Sequence, residues 1–115
     1  MEITGKCKEN FEEWLGSQTR NTGSDIHKWY VTWAKFHIIS DSAKWGVYVD
    51  FFDSVGLLID TEIVWGFDAL NLNVYEYTIK HQEELLLLGE GYKETRPKSR
   101  TAAIERANEL YNERY

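Results

Sequence analysis

His27, His37 and His81, the single cysteine Cys7, and the pair Asp50 and Asp53 are the groups of this chain whose chemistry is suited to catalysis or metal binding. A zinc site of standard type needs histidines or cysteines spaced to meet on one turn, and neither the three histidines nor the lone thiol has such spacing. Asp50 and Asp53 stand at i, i+3, where two carboxylates can share a cation or divide acid and base work. On a helix whose remaining surface is apolar, they read more simply as a solvated strip. Cys7, with no base or orienting partner in the pattern, reads as a small core residue. Gly89-x-Gly91 resembles the start of a dinucleotide loop, but position 94 is Glu where a third glycine belongs. The residues themselves therefore point away from an enzyme, and no metal or cofactor is expected.

A second constellation is chemical in another way. Residues 93–100 carry Lys93, Arg96, Lys98 and Arg100 against one acid, Glu94, with Tyr92 beside them. They fall where a helix should begin, and a helix start exposes unpaired N–H groups and partial positive charge, so cations there are locally unfavourable. Two answers are open. Glu83, Glu84, Glu90 and Glu94, close in sequence, can compensate the charge internally. Alternatively the corner serves an external anion, a nucleic-acid phosphate or a carboxylate patch, with Tyr92 able to stack a base. The internal answer is preferred.

The elements that must position these groups follow from hydrophobic spacing. Cys7, Phe11, Trp14 and Leu15 form one helical stripe, with Thr4 as its cap and Gly16 as its stop. Residues 16–25, "GSQTRNTGSD", read as a loop. The stretch 26–39, "IHKWYVTWAKFHII", fits a helix or a strand, and helix is favoured. "AKWGVYVDFFDSVG" (43–56) is a strongly apolar helix, with Trp45, Tyr48, Val49, Phe52 and Val55 on one face and Gly56 at its end. The period then changes to two. "LLIDTEIVW" (57–65) places Asp60 and Glu62 opposite Leu57, Ile59, Ile63 and Trp65. "LNLNVYEYTIK" (70–80) alternates again, with Leu70, Leu72 and Val74 opposite Tyr75 and Tyr77, and "LLLL" (85–88) makes a third strand. A last helix runs from about Pro97 to Asn112 and buries Ala103, Ile104, Ala107, Leu110 and Tyr111. The expected architecture is one α+β domain over residues 1–115, a three-strand antiparallel meander packed against three to four helices. Trp14, Trp45, Phe52, Ile63, Leu72, Ile104 and Ala107 should share one core.

Composition suits such a domain. The chain is 115 residues long, with 43% hydrophobic and 15% aromatic residues, enough for one core without disulfides. Its unpaired cysteine suits a reducing compartment, and its charged N-terminal stretch lacks the apolar run of a signal peptide, so a soluble cytoplasmic protein with no membrane partner is expected. Net charge is −6. Residues 93–100 contribute +3, and residues 41–90 hold ten acids against Lys44 and Lys80. Carboxylates spread over a small rigid domain can imitate nucleic-acid phosphates and enter a basic groove. Asp50, Asp53, Asp60 and Glu62 are the candidate acidic surface, with ordinary solubility as the plainer reading.

Three segments, "ITGKCKENFEEWL" (3–15), "KWGVYVDFFDSVG" (44–56) and "TRPKSRTAAIERANELYNE" (95–113), resemble small acidic proteins of unknown function encoded by bacteriophages and mobile elements. Their shared features are helix faces and caps, so no catalytic residue is carried over. The resemblance implies an accessory protein acting in the host cytoplasm by docking on a host protein or ribonucleoprotein, for example an RNA-guided antiphage nuclease, as anti-CRISPR inhibitors do. The alternative is a nucleic-acid-binding accessory protein that uses the basic start of the last helix. Oligomeric state is not legible from the residues.

Overall fold

A computed structural model describes residues 1–20, 36–64, 74–84 and 86–115. The element order is α1 (Gly5–Arg20), α2 (Asp41–Ser54), β1 (Leu57–Val64), β2 (Val74–His81), β3 (Leu87–Lys93) and α3 (Arg96–Arg114). The strands form one antiparallel sheet in the order β1-β2-β3, the expected α+β meander with helices. The stretch expected as a helix at 26–39 lies outside the described residues up to residue 35. Its last part brings Phe36 into the core.

Local rules start and stop two of the helices. Ser40 caps α2 by accepting from the N–H of Ala43 at 3.2 Å. Gly56, at φ +87°, turns the chain out of α2 and donates its N–H to Asp53 O at 3.1 Å. Thr95 caps α3 by accepting from the N–H of Lys98, with Pro97 in the first turn, where its missing N–H costs nothing. The start of α1 departs from its local pattern. Thr4 Oγ1 accepts from Asn108 Nδ2 at 3.1 Å and the Thr4 N–H donates to Asn108 Oδ1 at 2.8 Å. The Cys7 N–H, which an N-cap side chain would receive, donates instead to Asn112 Oδ1 at 2.9 Å. Asn108 and Asn112, one turn apart on α3, thus do the capping. Gly16 does not stop α1, which continues to Arg20.

The core joins all these elements. Cys7, Phe11 and Leu15 of α1 meet Tyr48, Phe51 and Phe52 of α2, Leu57 and Ile79 of the sheet, and Ala103, Ile104 and Ala107 of α3. Phe11 is the hub of an aromatic cluster, with Tyr48, Phe36 and Phe51 ring centroids 5.0, 5.2 and 5.3 Å away. Two expected core residues, Trp14 and Trp45, are half-buried at its margin, Ile63 is half-buried, and Leu72 falls outside the described residues. On α2 the buried residues are Tyr48 and Phe52, both on the expected face, and Phe51 beside them, while Trp45 of that face is half-buried.

The third strand is shifted from its expected place. It spans Leu87–Lys93, not 85–88, and Leu86 and Leu87 are both about half exposed. The glycines explain the shift. A Cβ on Gly91 would lie 2.5 Å from Tyr77 Cε1, and one on Gly89 would lie 3.1 Å from Arg106 Cγ. Their bare backbone admits the Tyr77 ring and the Arg106 stem between sheet and helix, so the "GEG" segment is packing. The same fit turns the Tyr77 and Ile79 side of β2 into the core, leaving Val74 on the other face, contrary to the expected burial of the leucine–valine side.

Burial pushes the Cys7 thiol from its ordinary 9.0 up to about 12. It pushes the Tyr48 phenol from 10.0 up to about 12, aided by the negative charge that Cys7 and Glu2 would carry. Both groups hold their protons more tightly folded than unfolded. Their contribution is complete below about pH 9 and is lost as pH rises towards 12, by about 1.4 kcal/mol per pH unit for each group ionised only in the unfolded chain. Urea unfolding followed from neutral to alkaline pH should show this fall. Cys7→Ala should make it shallower, and a thiol reagent should leave native Cys7 unlabelled at neutral pH.

Candidate functional site

Strand register builds the most distinctive surface of the molecule. The helices pack on the side of the sheet that carries Leu57, Tyr77 and Ile79. On the opposite, outer face, cross-strand partners form rows. Leu58, Lys80 and Leu87 make the first row; Asp60, Thr78 and Glu90 the second; Glu62, Glu76 and Tyr92 the third; Val64 and Val74 the fourth. Rows recur about every 6.7 Å along a strand, and strands stand about 4.8 Å apart. Four of the six positions in the two central rows are therefore carboxylates, while one end row carries Lys80 between Leu58 and Leu87 and the other carries Val64 and Val74. Asp60, Glu62, Glu90, Lys80, Leu87 and Tyr92 are exposed.

Glu62 and Glu76 stand directly opposite one another, an arrangement that disfavours folding. Glu76 is partly offset by Tyr92, whose hydroxyl donates to it; the Glu76 charge and this bond raise the Tyr92 phenol above its ordinary value. Tyr92 thus belongs to the acidic face and not to the basic corner. Asp60 accepts from the N–H of Thr61 at 2.9 Å.

The expected acidic surface is divided by the fold. Asp60 and Glu62 lie on the outer sheet face, whereas Asp50 and Asp53 lie on α2 in the helical layer. Partial burial, and then the Asp53 charge, raise the Asp50 carboxyl above its ordinary value. Glu76 and Glu90 were missed as members of the face. The alternation of residues 74–80 carries the signal for Glu76, but only the hairpin register places it beside Glu62.

The basic corner has internal partners of an unexpected kind. The Arg96 guanidinium lies over the Tyr75 ring and that of Arg100 over the Trp45 ring, each 5.4 Å from the centroid. Arg100 Nη1 also reaches Ser42 Oγ at 3.5 Å, and its buried Nε has no acceptor among the described residues. Lys98 pairs with Glu94 at 3.7 Å, a pair exposed on both sides. A backbone hydrogen bond at Glu94, and then the Lys98 and Lys93 charges, hold the Glu94 carboxyl below its ordinary value. Of the four acids considered as compensators, Glu94 alone has this role. Glu90 is on the outer face, and Glu83 and Glu84 lie in the β2–β3 turn, about 20 Å along the hairpin from the corner. Aromatic faces hold the arginines, which offsets the unfavourable helix-start charge. Replacing Arg96 and Arg100 by Gln should cost about 1–2 kcal/mol in urea unfolding, from two cation–π contacts. Unchanged stability would remove the structural role.

A cleft of about 590 Å³ between the starts of α1 and α2 is lined by Lys8 and Lys44 with Glu2 and Asp41, so its charges offset one another. Among the described residues, no group of three or more His, Cys, Asp or Glu is arranged to hold a metal ion. Among the same residues, no helix is long and apolar enough to cross a membrane. Comparison with protein-family models, curated proteins and solved structures gave no match.

Proposed function

We propose that this chain is a non-enzymatic binding protein, of the kind phages encode, that docks on a host protein or ribonucleoprotein and inhibits or modulates it. The outer sheet face is the docking surface, and its partner presents a cationic surface. One observation carries this reading: Asp60, Glu62, Glu76 and Glu90 are gathered in two adjacent rows, with Glu62 facing Glu76. Folding alone would not favour that juxtaposition, and a local rule broken on an exposed face marks a surface kept for another purpose. A dense field of one sign also steers an oppositely charged partner into place. The competing use of the basic corner for nucleic acid is less favoured, because Arg96, Arg100 and Lys98 already have partners within the chain.

The test pairs capture with a surface variant. Tagged chain is used to isolate partners from nuclease-treated bacterial lysate, and the affinity of the captured partner is then measured directly. Asp60→Asn, Glu62→Gln and Glu90→Gln together should weaken binding by about 1.5–3 kcal/mol, on the order of tenfold to a hundredfold. The variant should be at least as stable as the parent, since it relieves Glu62 against Glu76. Loss of every partner on nuclease treatment, or unchanged affinity of the variant, would reject this reading.

A further inference from the structure

We infer that the cleft between the starts of α1 and α2 binds a small zwitterion, an α-amino acid with a polar side chain. The site is separate from the outer sheet face, so it stands or falls independently of the docking reading. Its volume, about 590 Å³, is that of a small-molecule pocket. Asp41, Lys44 and Tyr48 line one wall, and their i, i+3, i+7 spacing sets them in a row along a single face of α2. Carboxylate, ammonium and hydroxyl thus follow one another from the first turn inwards.

Tyr48 is the residue that points to a ligand. Its ring packs against Phe11 and Phe36, with centroids 5.0 and 5.1 Å away, and only 4% of the residue is exposed. It nevertheless borders the cleft, and its hydroxyl makes no hydrogen bond among the described residues. A phenol held this deeply ordinarily finds a partner within the chain. The Glu2 charge acts on the same phenol, so the two walls of the cleft converge on it. The surrounding charges are also uncommitted. Among the described residues, neither Asp41 with Lys44 nor Glu2 with Lys8 forms an ion pair, and Lys44 Nζ lies instead 5.7 Å from the centre of the Phe36 ring. An anion alone would face Asp41 and Glu2, and a cation alone would face Lys8 and Lys44. An amino acid satisfies both signs. Its ammonium meets Asp41, its carboxylate accepts from Lys44 and from the Tyr48 hydroxyl, and an amide side chain offers its oxygen to Lys8 and its N–H to Glu2.

The probe is L-glutamine, titrated into the full chain and followed by backbone-amide NMR shifts. N-acetyl-L-glutamine, which lacks the ammonium, and L-glutaminamide, which lacks the carboxylate, are the comparisons. Saturable one-to-one binding of L-glutamine is expected, with shifts confined to the residues around the starts of α1 and α2. Each comparison compound should bind at least about tenfold more weakly, having lost one charged contact. Tyr48→Phe keeps the ring and removes the hydroxyl. It should weaken binding by about fivefold to tenfold, while stability to urea is unchanged or raised, because that hydroxyl gives up no hydrogen bond among the described residues. Equal binding of N-acetyl-L-glutamine would make the cleft an anion site and overturn the inference, as equal binding of L-glutaminamide would make it a cation site. No saturation by about 10 mM L-glutamine, or undiminished binding in Tyr48→Phe, would overturn it as well.

Discussion

Replacing Phe52 by alanine lowers the unfolding free energy by about 3–5 kcal/mol, the range for emptying a large aromatic site in a packed core. Phe52 is fully buried, and its ring lies 5.2 Å from that of Phe51, which in turn touches Phe11 and Tyr111. The site therefore borders on α1 and α3 as well as α2, and no single element can move in to fill the space. A domain of this size has a total stability of roughly 5–15 kcal/mol, so the variant should approach partial unfolding at ambient temperature. Urea denaturation with an unchanged slope isolates the effect. Trp45→Ala serves as the comparison, because Trp45 is only half-buried and should cost less. A loss under about 1 kcal/mol at Phe52 would mean that its site collapses readily around the smaller side chain.

The second large effect is expected at Asn108 and Asn112. Removing both amides by Asn108→Ala and Asn112→Ala should cost about 2–4 kcal/mol, combining a lost helix cap with polar groups left unpaired in a partly buried site. Asn108 is 8% exposed and grips Thr4 through both its oxygen and its nitrogen. Asn112 accepts from the Cys7 N–H and donates to Thr4 O at 3.0 Å. Thr4→Ala removes only the hydroxyl contact and should cost distinctly less. Hydrogen exchange gives a second readout. The Cys7 amide should lose protection in the double variant, while amides at the middle of α3 keep theirs. Full protection at Cys7 would show that the start of α1 finds its hydrogen bonds elsewhere.

Capping of that kind could not be read locally. Thr4 has the right residue type in the right place, and sequence spacing alone assigns it the cap. The asparagines that do the work are on the last helix, about a hundred residues further along the chain, and they reach α1 only because α1 and α3 pack together. Gly16 is a similar case. Glycine weakens a helix by roughly 1 kcal/mol, too little to end one.

What the chain determined by itself are features whose causes lie within a few residues. The apolar stripe of α1, the Ser40 and Thr95 caps, the Gly56 exit and the alternation of β1 depend on spacing and on side chains that reach their own backbone. Period and capping are local, so they survive without knowledge of the rest of the fold. The antiparallel meander followed from short links between alternating segments.

Tertiary structure decided the pairings. Whether "GEG" is loop or strand depended on the Tyr77 ring and the Arg106 stem needing space that only a missing Cβ provides. Whether four cations at a helix start repel or are held depended on the rings of Tyr75 and Trp45, which lie on different elements. The acidic face depended on register, because Asp60, Glu62, Glu76 and Glu90 come from three strands and become neighbours only when each strand is aligned with the next. A shift of one residue would turn those carboxylates towards the core, so the burial of Leu57, Tyr77 and Ile79 is what holds the acids on the outer side.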